Sequence, residues 1–142
     1  MPMTRAALNT ELTTDPTALG YAALIVKGND DGCAALLNQI RATITVFRSE
    51  VRAAEIIAAT VLADHAVLTT GQQLYYNALI ALGVLDVTSA TLRANLAALF
   101  PIASTTRTNL VALAQRSGSR AEQLFGTGTS VSHTDVAVAL RG

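Results

Sequence analysis

Tryptophan is absent from this 142-residue chain, cysteine occurs once, histidine twice, and only 14% of the residues carry a charge. Each shortage closes a route. The single Cys33 has no internal disulfide partner, and His65 and His133 stand too far apart in sequence for a two-histidine metal spacing. Aromatic residues make up only 4%, which leaves Ala, Leu and Val to fill the interior and favours closely approaching helices over a core of large rings. Ten basic residues balance ten acidic ones. The chain therefore has no net basic field to condense on phosphate and no polybasic run for anionic lipid.

Long hydrophobic runs are missing too. The most apolar window, Ala53 to Val67, is interrupted by Glu55, Asp64 and His65 and falls short of the roughly 20 residues a membrane span needs. It reads as buried helix. The opening Met1-Pro2-Met3-Thr4-Arg5 leads into no apolar signal core, so synthesis and folding in the cytosol are expected.

What remains is apolar: hydrophobic residues make up 51% and the mean hydropathy is +0.40. The charged share lies well below the usual level of roughly 25%. The length suits one domain, residues 1–142, with a core of ordinary size.

Punctuation recurs along the chain. Thr4 can cap a short helix bearing Leu8 and Leu12, and Asp15-Pro16 stops it. Gly20-Tyr21 opens an irregular or briefly helical stretch. Lys27 to Gly32 is dense in turn formers, and Asp30 or Asp31 can cap a second helix running from about Asp31 to Arg41. Thr43 to Phe47 alternates and is β-branched, compatible with a short extended piece or with helix. The Ala53–Val67 window fits one broken helix or two short ones.

Thr69-Thr70-Gly71-Gln72 is a capping box that opens a helix stopped by Gly83, with Leu74, Tyr75, Ala78, Leu79 and Leu82 expected on its core face. Asp86 or Thr88 starts the next helix, bearing Leu92, Leu96 and Leu99 and closed by Pro101. Ser104 starts another, carrying Leu110 and Leu113. Two further boxes, Ser119-Arg120-Ala121-Glu122 and Ser132-His133-Thr134-Asp135, end the chain as helix, turn, helix, with Val136, Ala137 and Leu140 docking from the last. The fold class is all-α: a compact multi-helix bundle of short capped helices with an irregular N-terminal arm and a closing helix-turn-helix-like unit.

Few polar residues are left for chemistry. Asp30 and Asp31 beside Gly28 and Gly32 lack the alternating ligands and terminal Glu of a calcium loop. Gly126-Thr127-Gly128 lacks the Gly-Lys-Ser/Thr continuation of a phosphate cradle. Cys33 has no nearby histidine to activate it. The would-be recognition helix from Thr134 to Ala139 offers one acid and small apolar groups, so a DNA-binding regulator is disfavoured. No catalytic residue, metal ligand or cofactor is expected.

Two stretches resemble a family of small helical proteins encoded near the tail and tail-fibre genes of tailed bacteriophages. They are Glu11-Leu12-Thr13-Thr14-Asp15-Pro16 with Leu19-Gly20-Tyr21-Ala22, and Ser119 to Gly126 with Gly128-Thr129, Val131, His133 and Asp135-Val136-Ala137. The resemblance covers most of the chain and implies a virion protein whose partners are other virion proteins, in the tail or tail-fibre region. A head-to-tail neck protein and an assembly chaperone absent from mature particles are the alternatives. It carries no catalytic residues with it.

The excess of apolar surface points the same way, because exposed patches beyond a few hundred Å² mark partner sites. Repeated copies in an assembly, with homo-oligomeric contacts, are expected. Residues 1–29 are the candidate docking arm, through Leu19, Tyr21, Leu24, Ile25 and Val26, with residues 30–142 as the helical body. Folding of that arm onto its own core is the competing expectation.

Overall fold

A computed structural model describes residues 2–142. Among them the chain forms, in order, α1 (Arg5–Thr14), α2 (Tyr21–Val26), α3 (Asp30–Asn38), β1 (Ile40–Phe47), β2 (Val51–Arg52), α4 (Ala53–Ala59) and α5 (Leu62–Ala66). There follow α6 (Thr70–Ala81), β3 (Val84–Leu85), α7 (Ala90–Leu99), α8 (Thr105–Leu113), β4 (Gln115–Ser119), α9 (Arg120–Phe125) and α10 (His133–Arg141). The fold is mostly helical, but not wholly. β1 pairs with β4, and β2 pairs with β3, each couple making a two-stranded sheet.

Packing divides the chain into two compact units. One comprises the residues up to Val46 together with Ser117–Gly142; the other, Phe47–Arg116, is inserted between them. Each unit has its own hydrophobic cluster.

In the first unit, α1 packs on α10 and α2, while α3 packs on α2, α9 and α10. The Thr4 hydroxyl accepts the Ala7 N–H at 3.1 Å and starts α1. Asp15 ends it in a left-handed conformation, φ 43°, that a non-glycine residue rarely adopts. Its carboxylate offsets the strain by accepting the Leu19 and Gly20 N–H groups at 2.7 and 2.8 Å. Asn29, not either aspartate, caps α3, accepting the Gly32 N–H at 2.8 Å; Asp30 and Asp31 occupy the first turn, where their charge favours the helix N-terminus.

The predicted second helix is shorter than expected because Ile40 and Arg41 belong to β1. Asn38, the last residue of α3, fixes the change of direction by bonding both backbone groups of Val131 at 2.7 and 2.8 Å. The core of this unit holds Leu8, Leu12, Tyr21, Cys33, Leu37, Phe125, Val131 and Val136. In α10 the fully buried positions are Val136 and Ala139; Ala137 and Leu140 are only partly covered.

In the second unit, β2 and β3 run antiparallel with Val51 opposite Leu85 and Arg52 opposite Val84. α4 packs on α6 and α8, and α6 on α7. The apolar window resolves into two helices, α4 and α5. Between them, Thr60 leaves the helical region and its hydroxyl meets the Tyr76 phenol at 2.7 Å. The Thr69–Gln72 capping box is formed in both directions, at 3.2 and 2.9 Å. Gly83 follows α6 with φ 79°, a turn that a side chain would strain.

α6 presents only part of the predicted face, with Leu79 in the core as expected. Tyr76 and Leu79 enter the core, whereas Leu74 and Leu82 are 64% and 67% exposed and Tyr75 stands at the surface. Ser89, rather than Asp86 or Thr88, caps α7. Ser104 caps α8 as expected.

Candidate functional site

The candidate docking arm is part of the first core. Tyr21 is 0% exposed, and Leu19, Leu24 and Ile25 pack partly buried against the same cluster; only Val26, 89% exposed, faces outward. The cause is a buried polar anchor. The Tyr21 phenol donates to Glu11 Oε1 at 3.1 Å, and Arg120 grips the same carboxylate through Nε at 2.8 Å and Nη2 at 2.9 Å. Glu11 is 4% exposed, so its charge requires this guanidinium, and departure of Tyr21 would take one further hydrogen bond from a buried carboxylate. Burial, with Glu11 beside it, pushes the Tyr21 phenol well above its ordinary range. The hydrogen bonds with Glu11 raise Arg120 further.

Other polar residues of this unit are committed to structure. Ser119 and Glu122 form a reciprocal box, and Glu122 also accepts the Gly128 N–H at 2.8 Å, which folds the Gly126–Gly128 loop onto its own helix. Asp30 pairs with Arg141, and exposed His133 lies 3.5 Å from Asp31. Cys33 is fully buried, and burial raises its thiol above the ordinary value. Among the described residues no three His, Cys, Asp or Glu side chains gather as a metal site would require.

The second unit differs. Among the described residues, every exposed large hydrophobic apart from Val26, Ile40 and Val138 belongs to it. Leu62, Val67 and Ile102 are 80%, 79% and 81% exposed. Asp64 accepts both the backbone N–H and the hydroxyl of Thr106, at 3.1 and 2.7 Å, and the Thr106 hydroxyl accepts from Val61 N–H at 2.8 Å. These bonds pin the start of α8 to α5, so Leu62 and Ile102 are carried on adjoining segments. His65 stacks edge-on against Tyr76, with centroids 5.0 Å apart.

The same unit holds a cavity of about 280 Å³, lined by Ile56, Leu96, Leu110 and Leu113 among other apolar residues, and by Phe47, Arg93 and Arg107. The Arg93 guanidinium lies 3.5 Å from the Phe47 ring centroid, a cation–π contact. A second, more polar depression is lined by Arg48, Glu50, Arg52 and Glu55. There Glu55 is occupied by Arg48, at 3.1 Å to each oxygen, and by the Arg52 N–H at 2.9 Å; these bonds, the backbone one foremost, hold its carboxyl below the ordinary value.

The sequence left residues 1–29 open between a docking arm and a part of the core, and the structure buries Tyr21 while leaving Val26 exposed. An arm rich in Leu, Ile and Tyr looks unpartnered until Glu11 and Arg120 are brought to it. The exposed Leu62 and Val67 lie at the two ends of the short α5, and the apolar residues of α6 nearly surround it, so no outward face is distinguished. Comparison with family models, with curated proteins and with solved structures returns no match for this chain.

Proposed function

We propose that this protein is a non-enzymatic structural or accessory component of a tailed-phage virion, acting through protein–protein contacts in the tail or tail-fibre region. The observation that carries the contact role is the uneven distribution of exposed apolar side chains. The first unit closes on itself around Glu11, Arg120 and reciprocal helix caps, while the second exposes Leu62, Val67, Leu74, Leu82 and Ile102. Covering such side chains releases on the order of 25 cal/mol per Å² of apolar surface before association costs. The virion context rests on the resemblance of the Glu11–Ala22 and Ser119–Ala137 segments to the phage family.

The docking surface in this reading is the second unit, not residues 1–29. Mass spectrometry of purified particles tests the assignment: the protein is expected among the virion components, and a triple variant with Leu62, Val67 and Ile102 replaced by Glu is expected to fold yet be lost from particles. Absence from mature particles combined with capture of a virion protein from infected cells would reassign it as an assembly chaperone. Absence from both would refute the reading.

A further inference from the structure

The cavity in the second unit combines an aliphatic wall with two cations that lack an acid. Arg93 and Arg107 both line it, and among the described residues neither is paired with a carboxylate. Arg93 is held by its Nη1, which donates to the carbonyls of Val87 and Thr88 at 2.8 Å each, and by the Phe47 ring. Arg107 is held by one longer bond, Nη1 to the Phe100 carbonyl at 3.3 Å. The remaining guanidinium N–H groups of both have no protein acceptor among the described residues. Neutral carbonyls orient these side chains without neutralising them.

The cavity is partly open to solvent, and its aliphatic wall gives water few partners. An anion with an apolar body satisfies both parts of the lining: its tail replaces missing contacts along Ile56, Leu96, Leu110 and Leu113, and its head accepts from guanidinium. We propose that this cavity binds a medium-chain carboxylate, its head on Arg107 with Arg93 adding positive potential. At about 280 Å³ the space sits just under the usual roughly 300–1,000 Å³ of small-molecule pockets, which suits a single chain of roughly eight to ten carbons and excludes a two-chain lipid. The inference is independent of the virion assignment.

Calorimetric titration of the full chain with decanoate, and with decanol as the uncharged analogue of equal length, tests it. Decanoate is expected to bind with one site per chain and decanol at least about tenfold more weakly, since the charge-assisted bonds are lost. Arg107→Gln is expected to lower decanoate affinity to the decanol level while leaving decanol unchanged, and Arg107→Lys to recover part of the difference. Ala97→Phe, which places a ring in the lining, is expected to abolish both. Should that variant fail to fold, the Arg107→Gln comparison still decides. Equal affinity for the two ligands, binding of neither, or decanoate binding that survives in folded Ala97→Phe would overturn the proposal.

Discussion

Glu11 and Arg120, 109 positions apart, share two nearly equal hydrogen bonds, Nε to Oε1 at 2.8 Å and Nη2 to Oε2 at 2.9 Å. Their side chains are only 3% and 11% exposed, so the pair ties the first helix of the chain to the first helix after the insertion under conditions of weak screening. Replacing one partner leaves the other charged and buried. Arg120→Met is expected to cost about 3–5 kcal/mol in urea unfolding, whereas Glu11→Leu with Arg120→Met is expected to recover much of that loss. A single variant within about 0.5 kcal/mol of wild type would show that Glu11 is reached by water.

Tyr21 makes the same cluster sensitive to alkali. Its folded-state phenol titrates above the ordinary value of 10.0. Between that value and the folded one, the unfolded chain releases a proton that the native chain keeps. The stabilisation is therefore complete below about pH 10 and declines as pH rises, by up to about 1.4 kcal/mol per pH unit. Urea unfolding from pH 9 to 11 is expected to show a steeper decline for wild type than for Tyr21→Phe. Parallel curves would mean that the phenol ionises normally in the fold.

Cys33 is expected to be silent toward thiol reagents in the native state. It is 0% exposed and its thiol is raised by burial, with Asp30 adding to the shift, so both access and thiolate fraction are low. Reaction with an aromatic disulfide reagent should proceed only at the rate of opening and become rapid in denaturant. Fast stoichiometric labelling of folded protein would contradict this placement.

Gly118 is required by contact rather than by backbone conformation. A Cβ there would lie 2.8 Å from both methyl carbons of Val46, and Val46 is itself buried and stiff at χ1. Gly118→Ala is expected to destabilise the protein by about 1–3 kcal/mol, and addition of Val46→Ala to return part of it. Thermal denaturation of the two variants checks the coupling; additive losses would place the clash elsewhere.

How much of this was legible beforehand depended on whether the signal was local. Thr4, Thr69, Ser104, Ser119 and Ser132 all cap where the sequence placed them, because a hydroxyl meeting an amide three residues on needs no other part of the chain. β4 was not legible: Gln-Arg-Ser-Gly-Ser has no alternation, and its extended form comes from pairing with β1. The face of α6 was ambiguous because Leu74, Tyr75, Tyr76, Leu79, Ile80 and Leu82 nearly surround the helix. For Tyr21 the sequence did not decide between interface and core, because its anchor, Arg120, is contributed by the far side of the insertion. The cavity wall was invisible for the same reason, since Phe47 and Arg93 meet only in the folded unit.

The insertion of Phe47–Arg116 within the first unit also imposes an order of events during translation. Helices α1 and α3 emerge from the ribosome before their partners α9 and α10 exist, and so must wait, whereas the helices of the inserted segment have their main packing partners once residue 116 is outside. A nascent chain stalled with 47–116 exposed is accordingly expected to protect that stretch from protease while 1–46 is still cut.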